Sequence, residues 1–204
     1  MLEQMAATWE QPTVKEPIDW DVISACQQGD REALRSLFEG CKDRVYSIAL
    51  YSMNGDPAAA ADVTQQVFLK LITRIGQFRG NAEFTTWLYR LVVNACLDER
   101  RKQRRFVPLA EFTLVRTNRR EPSQATNFAR RELSGEVQAA ITELRPKLRL
   151  PILLKYIEGL SYEEIATVLG CSKGTVGSRL NRGHKALARR LEHLRGQFIP
   201  GNEM

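Results

Sequence analysis

A run of helix-ending and helix-starting signals between residues 159 and 182 constrains the fold of this chain more than any other feature. Ser161 is a good helix N-cap, and Glu164, three residues later, can reach back to it in the reciprocal capping-box arrangement. Gly170 suits the left-handed position that ends a helix, and Ser172 can cap the next helix. The spacing therefore predicts two short helices joined by a tight turn, which is a helix-turn-helix.

The second of these helices carries polar and basic side chains on its outer positions, while Val176 and Leu180 face inward. Residues 173–195 contain seven Lys or Arg residues and a single acid, Glu192. A solvated helix face usually mixes both signs, so this bias favours a helix that enters the DNA major groove over an ordinary helical hairpin. The candidate DNA-reading residues are Lys173, Thr175, Ser178, Arg179, Asn181, Arg182 and Lys185.

Length and composition bound the class of protein. The chain has 204 residues and a formal net charge of +6, which suits one large or two small domains and a polyanionic partner. Its four cysteines lie far apart and it has two histidines, so we expect no metal site, no cofactor and small buried cysteines. No apolar run is long enough to span a membrane and no signal peptide is seen, which predicts a cytoplasmic protein.

Apolar residues at helical spacing predict four helices before residue 105. Asp19 can cap a short helix through Cys26, and Asp30 starts a long helix that the turn before Pro57 ends; Asp56 caps the third helix. The predicted inward residues are Leu34, Leu37, Phe38, Cys41, Val45, Ile48 and Ala49 in the second helix, Val63, Val67, Phe68, Leu71, Ile72 and Ile75 in the third, and Trp87, Leu88, Leu91, Val92 and Ala95 in the fourth.

Helical periodicity is lost over residues 106–129, which we interpret as a flexible linker because they hold two prolines and polar runs. Residues 1–18 are interpreted as a loose extension. The predicted fold is all-α: two small helical domains, residues 19–105 and 130–197, the second a helix-turn-helix, winged-helix-like DNA-binding domain. Its predicted inward residues before the helix-turn-helix are Leu133, Val137, Ile141 and Leu144, with Pro146 opening a helix.

The first block also holds candidates for nucleic-acid contact. The stretch from Phe78 to Arg90 mixes aromatic, basic and amide side chains, which suit unstacked bases. We expect Phe84, Trp87 and Leu88 to be mostly core. The basic end of the fourth helix is either a solvated helix terminus or a phosphate clamp, and the downstream DNA-reading helix favours the clamp. The resulting candidates are Arg79, Asn81, Arg90, Asn94, Arg100, Arg101 and Arg104.

Taken in order, several motifs closely resemble bacterial extracytoplasmic-function sigma factors, group 4 of the sigma-70 family. They are Asp-Val-Thr-Gln-Gln-Val-Phe at 62–68, Phe-Arg-Gly at 78–80, Thr-Trp-Leu-Tyr-Arg at 86–90 with Asn94, Gly-Leu-Ser-Tyr-Glu-Glu-Ile-Ala at 159–166, and Gly-Thr-Val at 174–176 with Ser-Arg-Leu at 178–180. The resemblance covers about residues 20–195. It implies a non-enzymatic sigma factor: one module binds the β′ clamp helices of core RNA polymerase and melts the minus-10 promoter element, and the other reads the minus-35 element and rests on the β flap.

Carried over by position, the resemblance places Asp62, Gln65 and Gln66 in the polymerase-binding helix. It places Asn94 and the loop 79–83 where a flipped minus-10 base is held. The residues that fall on the minus-35 recognition helix are Ser178, Arg179, Asn181 and Arg182. Two positions depart from the family pattern: Gln66 stands where Glu is usual, and Gly177 stands where Lys or Arg is usual.

The resemblance also implies an anti-sigma factor, since members of the family are commonly regulated in this way. The acidic stretch from Glu3 to Asp19 is too small to mask the chain's basic surfaces, so we expect the inhibitor to be a separate protein. The linker would let the two modules close around an amphipathic helix of such a partner.

Two other classes of protein stay open as alternatives. A self-sufficient DNA-binding regulator would need a ligand pocket or a phospho-acceptor cluster, and residues 20–105 show neither pattern. A nuclease would need clustered carboxylates for metal ions, whereas Asp62, Asp98 and Glu99 lie on predicted helices with other assignments.

Overall fold

A computed structural model of the chain describes residues 18–106 and 135–197, with the backbone alone at 104–106 and 195–197. Both described ranges are helical and contain no strand, which confirms the predicted all-α class. Within these ranges the second module has the helix-turn-helix and no β-wing. Most of the predicted extension and linker, together with Leu133, lies outside the described residues.

Three aspartates cap three of the four described helices of the first module. The helices are α1 (Trp20–Gln27), α2 (Arg31–Ser52), α3 (Pro57–Arg74) and α4 (Phe84–Phe106), with a 3₁₀ turn, Ile75–Gln77, after α3. The side chains of Asp19, Asp30 and Asp56 each accept backbone hydrogen bonds from the first turn of the helix that follows. These caps satisfy amides that have no partner inside a helix, and they confirm the predicted starts of α1, α2 and α3.

The second module contains α5 (residues 135–142), α6 (Pro146–Tyr156), α7 (Tyr162–Leu169) and α8 (Lys173–Arg190), followed by a 3₁₀ segment, Glu192–Gln197. The capping box is present: the amide of Glu164 donates to Ser161 Oγ at 3.2 Å, and the amide of Ser161 donates to Glu164 Oε2 at 2.7 Å. Gly170 has a φ of 60°, as the predicted left-handed position between α7 and α8 requires.

Most of the predicted inward residues are buried, but two are exposed. Phe38 of α2 is 40% exposed and Ile72 of α3 is 53% exposed, so their assignment to the core is wrong. Ile72 is exposed because α3 packs chiefly on α2 and α4, which cover the face around Val63 and Val67 and leave its other side open. Phe38 lies at the edge of the contact between α2 and α3, with its ring centroid 4.6 Å from that of Phe68. Leu34 and Trp87 are only partly buried at the edge of the core.

The two modules pack against each other. Helix α4 of the first module contacts α7 of the second, and α2 contacts α6. The buried apolar residues of both modules belong to one continuous cluster, in which Leu88 and Val92 of α4 and Leu160 before α7 are each at most 2% exposed. The described part of the protein is therefore one body with two halves, although the sequence predicts two separately tethered domains.

Candidate nucleic-acid and polymerase interfaces

Helix α8 presents a stripe of polar and basic side chains opposite its buried face. Val176, Leu180, Gly183 and Leu187 are buried, and they hold the helix against α6 and α7. Residues that recur every three or four positions share the other side of the helix. Of the predicted minus-35 residues, that side carries Thr175, Ser178, Arg179, Asn181, Arg182 and Lys185, half-buried or exposed.

Lys173 stands apart from this stripe. Its ammonium group pairs with the carboxylate of Glu163 on α7, and both side chains are largely exposed. The hydrogen bond to Lys173 lowers the pKa of Glu163, which is the expected direction for a carboxylate beside a cation. The ion pair bridges the two helices of the helix-turn-helix, so Lys173 has a structural contact in addition to its predicted DNA contact.

A basic cleft of about 1190 Å³ lies between the modules. One wall comes from α4 and the other from α8 with the start of α6. Apolar side chains such as Leu97 and Leu148 form part of its surface, and no acidic side chain is among the described residues that line it. Its eight basic residues are Arg100, Arg101, Arg145, Lys147, Arg179, Arg182, Lys185 and Arg189.

The predicted minus-10 residues divide between two places. Arg90 and Asn94 are exposed on α4, and with Arg101 they line a pocket of about 380 Å³ whose opposite wall includes Arg179. The structure thus brings part of the minus-10 set to the same cleft as part of the minus-35 set. Because Asn94 is exposed, it does not serve backbone groups inside the helix bundle. The side chain of Arg104 lies outside the described residues.

Arg79 and Asn81 lie elsewhere, on the exposed loop before α4. Helix α1 anchors the start of this loop, because Gln27 Nε2 donates to the carbonyl oxygens of Ile75 and Phe78 at 3.0 and 2.8 Å. Gly80 has a φ of 73°, and a β-carbon there would approach the Trp20 ring to 3.1 Å. The loop is therefore shaped by contacts from α1 that local sequence signals do not reveal.

Arg100 contacts the first module itself. Its Nη1 donates to the carbonyl oxygen of Ser52 at 2.7 Å and to Asn54 Oδ1 at 3.3 Å. The last carbonyls of a helix have no partner within it, and a cation at this end also complements the helix dipole. Arg100 therefore caps the end of α2, while its predicted role as a phosphate clamp stays a prediction.

The exposed side of α3 combines polar and apolar residues. Asp62 and Gln65 are exposed and Gln66 is half-buried. Leu69 and Ile72 continue the line of Asp62 and Gln65 at helical spacing, and they are 58% and 53% exposed. We call Asp62, Gln65, Leu69 and Ile72 the α3 stripe. Leu69 was not predicted as a candidate residue. The available signal is a large apolar side chain that falls outside the inward spacing of Val63 and Val67.

Two buried ionisable residues of the second module were also missed. Arg149 of α6 is 3% exposed. Burial, and to a smaller extent the charge of Arg100, lowers the pKa of its guanidinium to about 10. Glu158 is 8% exposed, and burial raises the pKa of its carboxyl group despite a hydrogen bond from Tyr89 and the nearby Arg44. Both residues reach into the first module.

Neither a metal site nor a membrane span is found within residues 18–106 and 135–197. These ranges hold no group of three or more His, Cys, Asp or Glu side chains that could bind a metal ion. No helix in them is both long and apolar enough to cross a bilayer. Cys26, Cys41 and Cys96 are buried, which confirms the prediction for these three, whereas Cys171 is half-buried.

This fold, with a basic helix-turn-helix packed on a second helical module, defines a DNA-binding protein class, and comparison with known proteins narrows the class. The Sigma-70 region 2 family matches residues 37–106, and the Sigma-70 region 4 family matches residues 134–187. The chain is 32% identical over 182 residues to the ECF RNA polymerase sigma factor SigW of Bacillus subtilis, covering 84% of this chain and 96% of that protein. It is 31% identical over 185 residues to the ECF RNA polymerase sigma-E factor of Escherichia coli, covering 86% and 95%.

Solved structures show the same fold. CnrH, determined in complex with the cytosolic domain of CnrY, aligns with a TM-score of 0.61 at 23% identity over 85% of this chain and 96% of its own. RpoE of Bartonella quintana, determined with the anti-sigma factor NepR, aligns with a TM-score of 0.65 at 21% identity over 78% and 96%. The chain belongs to the extracytoplasmic-function sigma factors of the sigma-70 family, which direct promoter-specific transcription initiation by RNA polymerase.

Proposed function

We propose that the α3 stripe is the surface through which this sigma factor binds core RNA polymerase, at the β′ clamp helices. A line of polar and apolar residues at helical spacing is the pattern by which a helix docks into a partner's groove. Leu69 and Ile72 support the proposal because large apolar side chains that stay more than half exposed mark interaction sites when they cluster. Gln66, where the family usually has Glu, lies half-buried beside this stripe.

The second part of the proposal concerns DNA. The second module reads the minus-35 element through the outer side of α8 while it rests on the β flap, and the first module melts the minus-10 element. Amide and guanidinium groups are suited to base edges and phosphates, and the basic cleft supplies positive potential along both surfaces. The minus-10 residues proposed are Arg79, Asn81, Arg90, Asn94, Arg100, Arg101 and Arg104, and the minus-35 residues are Lys173, Thr175, Ser178, Arg179, Asn181, Arg182 and Lys185.

The third part of the proposal is regulation by a separate anti-sigma factor. We also propose that the protein belongs to group 4 of the family and acts in the cytoplasm. Two structural neighbours support it, since one was solved with an anti-sigma factor and the other with the cytosolic domain of CnrY. The α3 stripe and the apolar parts of the basic cleft are surfaces that an amphipathic helix could cover. Recovery of the protein from its host only in free or polymerase-bound form, with and without inducing conditions, would contradict this part.

The outer side of α8 carries the proposal, and run-off transcription with purified core polymerase tests it. We call its residues Thr175, Ser178, Arg179, Asn181, Arg182 and Lys185 the α8 stripe. Arg182→Ala should reduce transcripts from promoters that have a minus-35 element. Arg190→Ala is the matched control, because Arg190 is off the stripe and its Nε donates to Glu143 Oε2 at 3.1 Å. Gel shifts separate a sigma factor from a self-sufficient regulator. Tight specific binding of duplex by the protein alone, with no gain from core enzyme, would favour the regulator.

A further inference from the structure

We propose that the protein without polymerase is held in a closed state by two buried polar contacts between its modules, and that promoter binding requires these contacts to break. The first contact joins Arg149 to the turn that contains Asn54, and the second joins Glu158 to Tyr89. We call these four residues the latch. The inference relies on the proposed function for what the covered surfaces do, and on the geometry alone for the closed state.

Arg149 reaches across from α6 to the C-terminal end of α2. Its Nη1 donates to the carbonyl oxygen of Tyr51 at 2.6 Å, to that of Ser52 at 3.3 Å and to Asn54 Oδ1 at 2.8 Å. Its Nη2 donates within its own module, to the carbonyl oxygen of Leu144 at 2.9 Å and to that of Thr142. One guanidinium group thus ties the start of α6 to the end of α2.

This contact matters most to Arg149 itself. Arg100 of the first module also donates to the carbonyl oxygen of Ser52 and to Asn54 Oδ1, whereas the buried guanidinium of Arg149 must have several acceptors wherever it lies. If the modules separate, Arg149 loses three acceptors, and water has to replace them. Hydrogen bonds that involve a charged group contribute more to stability than neutral ones, so this contact favours closure beyond simple packing.

The second contact lies just beyond the other end of α6. The hydroxyl group of Tyr89 on α4 donates to Glu158 Oε2 in the loop that leads from α6 to α7. Tyr89 is 2% exposed and Glu158 is 8% exposed, so the hydrogen bond is shielded from water. Burial and the charge of Glu158 raise the pKa of the Tyr89 hydroxyl, which therefore stays protonated and remains the donor.

In the closed state the second module covers part of the minus-10 surface. Arg90 and Asn94 open into a pocket of about 380 Å³ whose far wall is built from α6, α7 and the turn between α7 and α8. Arg179 of α8 lines the same pocket, so the two proposed DNA surfaces face each other across it. Arg90 and Asn94 stay exposed, but a strand that follows α4 past them meets α6 and α7 on the far side of the pocket. Closure therefore restricts access to this part of the minus-10 surface.

The charges of the basic cleft oppose the latch. Eight cations from both modules line the cleft, and none of its described lining residues is acidic, so the two walls repel each other. Exposed charges of this kind are screened by salt over about 8 Å at physiological ionic strength. Added salt should therefore strengthen closure, whereas it weakens the binding of DNA by the same residues. A chain that is compact only because a polyanion is bound in its basic cleft would instead expand when salt is added. The direction of the salt response therefore distinguishes the two cases.

The test weakens both latch contacts at residues outside the proposed DNA-binding sets. Arg100 also loses its hydrogen bond to Asn54 Oδ1 but keeps the carbonyl oxygen of Ser52, so for Asn54→Gly the dimensions in solution decide and not oligonucleotide binding. Asn54 has a φ of 59°, which glycine adopts at no steric cost, so Asn54→Gly deletes the amide acceptor and keeps the turn. Tyr89→Phe deletes the hydroxyl group that Glu158 accepts from. Tyr46→Phe is the matched control, because it makes the same change on α2 at a residue packed against the core. Full-length protein is compared by small-angle X-ray scattering and by binding to a single-stranded minus-10 oligonucleotide.

We expect the wild-type chain and Tyr46→Phe to be compact, and more so at higher salt. The variant with both Asn54→Gly and Tyr89→Phe should be more expanded and bind the oligonucleotide more tightly, with each change raising the ratio of open to closed molecules about fivefold. Circular dichroism checks that the variants stay helical, and Asn54→Gly alone serves if Tyr89→Phe unfolds. An extended wild-type chain, or folded variants with unchanged dimensions, would overturn the closed state. Unchanged transcription by core enzyme with the variants would leave the proposed function intact in either case.

Discussion

Gly183 of α8 faces Ile152 of α6 so closely that a β-carbon added at Gly183 would lie 3.1 Å from Cγ1 of Ile152. Ile152 is 3% exposed, and its Cδ1 would lie at 3.2 Å, so the isoleucine has little room to turn away. Helix α8 therefore packs closely on α6 because Gly183 has no side chain. This contact sets the distance between the two helices.

The first prediction is that Gly183→Ala destabilises the protein although alanine is the better helix former. Overpacking of a core costs about 1–3 kcal/mol, against a gain in helix propensity of about 1 kcal/mol. We expect a net loss of about 1 kcal/mol in the free energy of unfolding, measured by urea denaturation.

Gly177→Ala on the same helix is the control for Gly183→Ala. A β-carbon at Gly177 would meet Tyr162 Cε2 at 3.8 Å, which is an ordinary contact. This variant should gain about 0.5–1 kcal/mol from helix propensity. Equal effects of the two alanines would show that the contact with Ile152 does not limit packing.

The second prediction concerns pH and Glu158. Burial raises the pKa of this carboxyl group above its ordinary value of 4.5, so the closed state binds a proton at Glu158 more readily than the open state does. Closure should therefore strengthen as pH falls through the raised pKa toward 4.5, and weaken as pH rises through the raised pKa. Scattering measurements across this range would detect the change in dimensions.

Glu158→Gln supplies the control for the pH prediction. A neutral amide can still accept from the Tyr89 hydroxyl group and carries no buried charge, so the variant should be more closed than wild type at pH values above the raised pKa of Glu158. Its dimensions should also lose the Glu158-dependent change with pH. A variant that opens at these pH values would mean that attraction between Arg44 and the ionised carboxylate outweighs the cost of burial.

The third prediction is that Leu69→Ser and Ile72→Ser weaken binding to core polymerase without weakening the fold. Both side chains are more than half exposed, so the free energy of unfolding should change by no more than about 0.5 kcal/mol. Truncating an anchor residue of an interface typically costs about 1–4 kcal/mol of binding free energy. Surface plasmon resonance with immobilised core enzyme measures the loss, with Ser36→Ala on the exposed side of α2 as control.

Asp62→Ala and Gln65→Ala should act in the same direction with smaller effects on core binding. Neither residue lies on the buried face around Val63 and Val67, so the double variant should melt like the wild-type protein. If all four substitutions of the α3 stripe leave core binding unchanged, the stripe is not the polymerase interface.

The fourth prediction is that Asn94→Ala impairs melting of the minus-10 element and spares core binding. Losing one base-specific contact costs about 1–3 kcal/mol. Because Asn94 is exposed, its replacement should leave the thermal melt of the protein unchanged. Permanganate footprinting of the open complex reads the melted bases. Normal footprints from the folded variant would remove Asn94 from the minus-10 surface.

Helix boundaries were predictable where they depend on neighbouring residues. Asp30, Asp56 and Ser161 cap the helices that follow them because their side chains reach amides two or three positions away. Gly170 ends α7 for an equally local reason, since its positive φ favours a residue without a side chain. The pattern of apolar spacing likewise identifies the buried faces of the helices, because it reports which residues share one side.

Features that depend on distant parts of the chain were not predictable. Ile72 fits an inward spacing, yet no described helix packs over its side of α3, so it is exposed. Arg149 reads as one more surface cation, but its acceptor at Tyr51 is 98 positions away in sequence. Part of the candidate site could be predicted, namely which residues are polar and basic on α4 and α8. Their meeting in one cleft follows from the packing of the modules and could not.

The double anchorage of Arg149 bears on the exchange of modules between sigma factors. Its guanidinium group contacts carbonyls of its own module and of the first module, so neither half carries a complete set of acceptors. A chimera that joins this second module to a foreign first module would inherit the buried cation without the turn at Asn54 that receives it. In such a chimera Arg149 keeps only the acceptors of its own module, the carbonyl oxygens of Thr142 and Leu144, and grafting the α2–α3 turn together with α6 restores the others. The α2–α3 turn and α6 must therefore be exchanged together in this protein, because a whole module does not carry the contact by itself.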